Sequence, residues 1–328
     1  MIGLVTAAAL ALSGCGSSAG STGSAGSDAA GPVPVVTSTN VWGDVVAQIG
    51  GEQVAVTALI SDPAADPHSF EPNAQAQLAL SKASLVVENG GGYDDFVQTM
   101  LASAGTDAPV ITAVAVSGLA NDPDSAQQTT DASHGADASH GADASDGADG
   151  HDHGEFNEHV WYDLPAVDRV ASAVIDRLAA IRPDRAEFFR ANLTTFQDKI
   201  AGLTGKIDAI KAAHGGAKVA ITEPVPLYLT EAAGLVNLTP DEFSEAIEQG
   251  TDVPPTVLAT TLALLTDQQV AVLVYNEQTS SPETEQLLTA AKDNGIAVVG
   301  VTETLPEGKD YLSWMDMNIS ALADALGR

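Results

Sequence analysis

Past a glycine-, serine- and alanine-rich opening, the chain alternates short β-branched runs with longer stretches whose apolar residues recur every three or four positions. Val33 to Ser38 (VPVVTS), Val54 to Ile60 (VAVTALI), Leu85 to Glu88 (LVVE) and Pro109 to Val114 (PVITAV) predict strands. Asn40 to Ile49, Asn73 to Ala83 and Tyr93 to Ser103 predict the helices between them. Such alternation is the pattern of βαβ units, hence of a parallel sheet covered by helices. Pro165 to about Ile181 carries an amphipathic helical pattern that Pro183 interrupts. Asp184 to about Ala213 then predicts a helix with no internal proline, which at roughly 1.5 Å per residue would run about 45 Å. After it the first grammar returns. Lys218 to Glu223 (KVAITE), Val270 to Glu277 (VAVLVYNE) and Ala297 to Glu303 (AVVGVTE) predict strands. Pro226 to Ala233, Pro255 to Thr266, Pro282 to Asp293 and Tyr311 to Leu326 predict helices, several opened by a proline in the first turn. The expected fold is α/β: two lobes, each with a mostly parallel sheet flanked by helices, joined by one long rigid helix and separated by a cleft.

Composition divides the chain further. Met1 to Ser13 is apolar but too short to span a bilayer, and it ends in Leu12, Ser13, Gly14 and Cys15. LSGC resembles the lipobox of a bacterial lipoprotein signal, which makes Cys15 the acylated first residue of the mature chain. An ordinary secretory signal with an incidental cysteine is the plainer alternative. Residues 16–31 read as a flexible tether, 32–182 as an N-terminal lobe, 183–213 as the connecting helix and 214–328 as a C-terminal lobe. Within the first lobe, residues 121–158 lack core-forming patterning and repeat a hexapeptide, ASHGAD at Ala132 and at Ala138 and ASDGAD at Ala144. They are expected to form a disordered, solvated His/Asp-rich loop. No later run has the length and apolarity of a membrane-spanning helix, so the membrane is expected to be reached only through lipid.

Charge narrows the partners. The chain of 328 residues has 44 acids against 13 bases, a formal charge of -31. That balance opposes nucleic acid and anionic lipid heads and suits a cation. Ten of the acids lie between Asp122 and Glu158, but the remainder is acidic as well. One cysteine rules out a disulfide framework and any multi-cysteine zinc or iron-sulfur site.

Ligands of parallel sheets sit beyond the carboxyl ends of the strands, so donor residues just after strands are the candidates. Four residues stand out: His68 in DPHSFEP, shortly after the strand ending at Ile60; His159 in EHVWYD, immediately before the amphipathic helix; Glu223 closing KVAITE; and Glu303 closing AVVGVTE. Two imidazoles and two carboxylates, a pair from each lobe, can enclose a divalent first-row metal in the interlobe cleft. Taken singly, each fits a structural role equally well: a packed histidine, or a glutamate capping a helix. Glu71 and Asp163, three and four positions after the histidines, are placed either to accept the second imidazole N–H or to cap a loop. Glu277 reads as a support to the site or as a helix cap. His134, His140, His151 and His153 in the low-complexity stretch are spaced to capture metal loosely, if the stretch is more than a solvated insertion. His214 suits the negative end of the long helix. Trp42, Trp161 and Trp314 are expected in cores.

These motifs resemble the solute-binding lipoproteins of bacterial ABC zinc and manganese importers, the ZnuA/TroA/PsaA-like family, over about Val33 to Leu326. DPHSFEP resembles the family's DPHxYEP element and EHVWYD its PHVWLD element, which implies that His68 and His159 are the first two ligands. The resemblance makes Glu223 the third, a position that is histidine in many zinc importers and glutamate in many manganese ones. Glu303 stands where the family usually has aspartate, one methylene shorter. The His/Asp-rich insertion resembles the loop of many zinc-specific members. The resemblance implies a monomeric, non-enzymatic receptor, lipid-anchored at the outer face of the cell membrane. It would bind one Zn2+, with Mn2+ or iron as the alternative, and deliver it to the transmembrane subunit of an ABC permease. Four protein ligands fill a tetrahedral shell and leave no place for substrate, unlike a catalytic zinc. The rivals are an envelope metallohydrolase, which would need an open metal position and for which no HExxH or GxSxG element is present, and a metal-storing surface adhesin.

Overall fold

The first lobe is built in the order β1 (Val33–Thr39), α1 (Asn40–Gly50), β2 (Val54–Ile60), α2 (Ala74–Leu80), β3 (Leu85–Glu88), α3 (Phe96–Ala104), β4 (Val110–Thr112) and α4 (Ala113–Ser117). The structure, a computed structural model, describes residues 31–62, 70–119 and 156–327. Two helices follow, α5 (Leu164–Ile181) and α6 (Ala186–His214). The second lobe comprises β5 (Lys218–Ile221), α7 (Leu227–Ala232), β6 (Val236–Asn237), α8 (Asp241–Glu248), α9 (Pro255–Thr266), β7 (Val272–Asn276), α10 (Pro282–Asp293), β8 (Ala297–Val301) and α11 (Tyr311–Leu326).

Each lobe has a four-stranded sheet, in the order β2-β1-β3-β4 and β6-β5-β7-β8, with every pairing parallel. The two sheets therefore repeat one topology, in which the chain reverses direction across the sheet between its first and third strands. β3 and β7 are buried along their whole length, as strands covered on both faces must be. One apolar cluster joins the inner sides of both lobes. It runs from Val35 and Val87 through α1, α5, α6 and α11 to Val219, Ile221 and Val274. Separate clusters fill the outer faces, Val36, Leu80, Val86 and Met100 in the first lobe and Phe243, Ile247, Leu265 and Leu273 in the second.

The long helix α6 holds this arrangement. Its 29 residues bury Phe189, Phe196, Ile200, Leu203, Ile207 and Ile210, a stripe facing the shared core. Asn192 donates to the Ile49 carbonyl of the first lobe at 2.8 Å. Lys206 pairs with Asp316 on α11. Shorter ties cross between the lobes near the cleft: Asn40 Oδ1 accepts from Leu305 N at 2.9 Å, and Tyr311 OH donates to the Trp161 carbonyl at 2.7 Å. All three tryptophans are buried, as their apolar surroundings in the sequence suggest.

The structure departs from the sequence reading in four places. β4 stops at Thr112, where its ladder with β3 ends at Glu88, and Ala113 to Ser117 turn into α4 instead of extending the strand. β6, two residues long, and α8 have no counterpart among the expected elements. Just before His159, Phe156 packs on the shared core and Glu158 is buried, so residues 156–158 do not belong to a solvated loop. Residues 121–155 lie outside the described residues, as do His134, His140, His151, His153, Cys15 and His68. Among the described residues, no helix is long and apolar enough to cross a membrane.

Phe196→Ala should lower unfolding stability by about 3–5 kcal/mol, because it empties the contact between α6 and Tyr311 of α11. Leu78→Ala, at a side chain 54% exposed, should change it by less than about 0.5 kcal/mol. Urea denaturation of the two variants checks both, and equal midpoints would contradict the assigned core.

Candidate metal centre

At the carboxyl ends of the second sheet three side chains are tied together. Glu223 follows β5 by two residues, Asn276 ends β7, and Glu303 follows β8 by two residues. Asn276 Nδ2 donates to Glu303 Oε1 at 2.9 Å and also to Glu223 Oε2, so one amide holds both carboxylates side by side. The site lies at the point where strand order reverses between β5 and β7, the usual ligand position in open parallel sheets. Gln278 Oε1 accepts from Glu303 N and from Thr304 N, at 3.3 Å for the latter, which fixes the turn after β8.

The first lobe contributes His159, which is fully buried. Asn157 Oδ1 accepts from the His159 backbone N at 3.1 Å and lies 2.7 Å from Nδ1. An oxygen that accepts the backbone N–H must also be the acceptor for the ring, so Nδ1 carries the proton. That assignment leaves Nε2 as the ring atom turned toward the carboxylates, and in the neutral form of the ring Nε2 is the nitrogen with the lone pair. Nε2 faces Glu248 Oε1 at 3.6 Å and Glu303 Oε2 at 4.0 Å. Both separations exceed a hydrogen bond. They match donor atoms around one ion, which stand roughly 3–4.3 Å apart when the bonds are about 2.0–2.2 Å. Tyr93 and Trp161 pack their rings at 5.9 and 5.1 Å from the imidazole and keep it from turning.

The pocket is crowded with negative charge. Glu158, Glu223 and Glu303 are each no more than 3% exposed, and the Glu248 side chain is 7% exposed. Burial, reinforced by Glu303, pushes the Glu158 carboxyl up to about 7. Burial first, then Glu158, Glu223 and Glu303, hold Glu248 well above the usual carboxylate range. A divalent cation offsets two negative charges of such a set, and the donor types suit a first-row metal.

Of the expected ligands, the structure brings His159 and Glu303 together and links Glu303 to Glu223; His68 lies outside the described residues. The supporting residues differ from expectation. Asp163 caps α5, its Oδ1 accepting from Ala166 N at 2.6 Å, while Asn157 orients the histidine ring. Glu277 is exposed and lies over Gly300, and its neighbour Asn276 performs the support expected of it. Glu71 is exposed. Glu158 and Glu248 join the site although the sequence reading does not place them there. A signal for Glu248 exists, since Phe243, Ala246 and Ile247 have helical spacing behind Pro240, but the run is too short for a full periodic window.

The profile of the family described as "Zinc-uptake complex component A periplasmic" (ZnuA) matches residues 35–325. The chain belongs to the ZnuA family. It is 23% identical to the manganese-binding lipoprotein MntA of Halalkalibacterium halodurans, over 98% of this chain and 96% of that one. It is 25% identical to the zinc-binding lipoprotein AdcA of Streptococcus pneumoniae over 84% of this chain, spanning 52% of AdcA's length. Among solved structures, the periplasmic zinc-binding protein TroA of Treponema pallidum superposes with a TM-score of 0.69 at 17% identity, covering 91% of this chain and 100% of TroA. A crystal structure of ZnuA gives 0.66 at 21% identity, covering 90% of this chain and 99% of that one. These structures share the two-lobe fold of this ZnuA-family chain.

Burial fixes the pH response of the protein in chelator. Glu158 rises from an ordinary 4.5 to about 7, and Asp94, also through burial, from 3.8 to about 6. Between those limits the folded chain binds more protons than the unfolded one, so stability is lost as pH rises through the window. Thermal melting in chelator should therefore fall from about pH 5 to about pH 8. A rise over that range would contradict the assigned burial.

Proposed function

We propose that this protein is the extracytoplasmic receptor of an ABC importer, binding one divalent first-row metal ion in the cleft and releasing it to a membrane permease. The observation that carries this reading is the approach of His159 Nε2 to Glu303 Oε2 at 4.0 Å, with Asn276 holding Glu303 and Glu223 together. His159, Glu223 and Glu303 are the ligands in this reading, and His68 completes the set on the strength of its DPHSFEP element. The role is carriage and not catalysis: the ion is the cargo, and a shell filled by protein donors leaves no position for a reacting water. Cys15 supplies the lipid anchor, with residues 16–31 as the tether. Because α6 and the Asn40 and Tyr311 ties join the lobes, release proceeds by local movement of the loops that carry the ligands and not by a wide hinge.

Manganese and zinc are both supported. The oxygen-rich donor set favours manganese, which is suited by carboxylates, and the relative MntA is named for binding it. The histidines of residues 121–155 and the relative AdcA favour zinc. For a fixed set of donors zinc is intrinsically the tighter binder of the two, so discrimination has to come from geometry and donor number.

Metal analysis of the purified chain after competition between equimolar zinc and manganese should find a total of about one ion per chain, and the ratio identifies the preferred cargo. His159→Ala and His68→Ala should each abolish that stoichiometric binding. A wild-type chain that retains no metal, or a His159→Ala chain that retains it fully, overturns the reading.

A further inference from the structure

Glu248 departs from the ordinary rules for a buried acid. Removing a carboxylate from water is strongly unfavourable unless hydrogen bonds or a cation compensate it. Elsewhere in this protein N–H donors provide that compensation. Asp94 accepts from Asn89 N and Gly90 N at 2.6 and 2.7 Å, and Asp163 accepts from Ala166 N at 2.6 Å. Glu248 Oε1 accepts no hydrogen bond among the described residues, although the side chain is only 7% exposed. Glu248 is also the last residue of α8, where the helix dipole presents its negative end. Phe243, Ala246 and Ile247 bury the other face of α8 in the outer core of the second lobe, so the helix cannot simply turn the carboxylate to solvent.

What Glu248 Oε1 faces is His159 Nε2, at 3.6 Å. Glu158, His159 and Glu248 each offer a ligand atom within 4.8 Å of the other two. Local rules broken together at one residue mark a position retained for function.

We propose that Glu248 is a fifth protein donor to the ion held by His159 and Glu303, and that it determines the choice between manganese and zinc. The inference rests on the receptor reading and adds the residue that sets cargo preference. Zinc is satisfied by four donors in a tetrahedron, whereas manganese takes an octahedral, oxygen-rich shell. A carboxylate on a separately anchored helix raises the donor count without displacing Glu223, Glu303 or His159. Its absence should therefore matter little to zinc and much to manganese.

The test titrates Mn2+ and Zn2+ separately into the purified full chain, as wild type, Glu248→Gln and Glu248→Ala. Manganese affinity should fall ~10-fold or more in Glu248→Gln, and at least as far in Glu248→Ala, while zinc affinity changes less than ~3-fold. Melting in chelator should be unchanged or higher in both variants, since a buried uncompensated carboxylate has been removed. A structural prop would instead lower that melting temperature and weaken both metals alike. Manganese binding that is unchanged, or loss of both metals by the same factor, overturns the fifth-donor role while leaving the receptor intact. A wild-type chain that binds neither ion overturns both.

Discussion

A ring nitrogen and several carboxyl groups brought together out of water form a site that a positive charge stabilises. In this protein Asn157 takes the Nδ1 side of the His159 ring, so that Nε2 is the nitrogen turned toward Glu303 and Glu248. The surrounding scaffold leaves these groups little freedom to relax apart. His159 is packed against Tyr93 and Trp161, and Glu303 is held by Asn276 and by its own backbone bond to Gln278. The cluster of acids is thus built into the folded state, and in the proposed reading a bound cation offsets it.

The rest of the architecture explains how donors from distant parts of the chain come to that spot. The two parallel sheets share one strand order, and the carboxyl ends of the second carry Glu223, Asn276 and Glu303. Helices α5, α6 and α11 share one apolar core between the sheets, so the lobes cannot separate widely without exposing it. Asn157 crosses this division: its side chain sets the His159 ring, its Nδ2 donates to the Pro224 carbonyl at 3.1 Å, and its own carbonyl accepts from Tyr228 OH at 2.7 Å. The histidine of one lobe is therefore positioned in part by the segment that follows Glu223 in the other.

Much of this is legible in the sequence because burial on both faces leaves a plain signal. β2 and β3, along with α9, α10 and α11, have the bounds that β-branched runs and periodic helical patterns predict, α9 and α10 being opened by a proline. Glu223 and Glu303 are picked out by the rule that ligands of parallel sheets follow strand ends, whereas His159 stands before α5 and is picked out by its EHVWYD element. The failures have equally physical causes. Phe156, Asn157 and Glu158 adjoin a low-complexity stretch whose composition masks their packing against the core. Glu277 draws attention by its charge, although in an alternating strand it is the neighbouring Asn276 that faces inward. Glu248 sits on a helix of eight residues, too short for periodicity to announce, and only tertiary packing brings it beside His159.

Membership of the ZnuA family and the oxygen-rich donor set together give an account in which the fold stores an electrostatic demand that one metal ion meets. The most direct measurement is a crystal structure of the metal-loaded protein, with anomalous scattering recorded at the manganese and zinc edges. The account predicts a single strong peak bonded at about 2.0–2.3 Å to His159 Nε2 and to oxygens of Glu303 and Glu223. A peak elsewhere in the molecule, or an ion-free cleft in which His159 and Glu303 have moved apart, would contradict it.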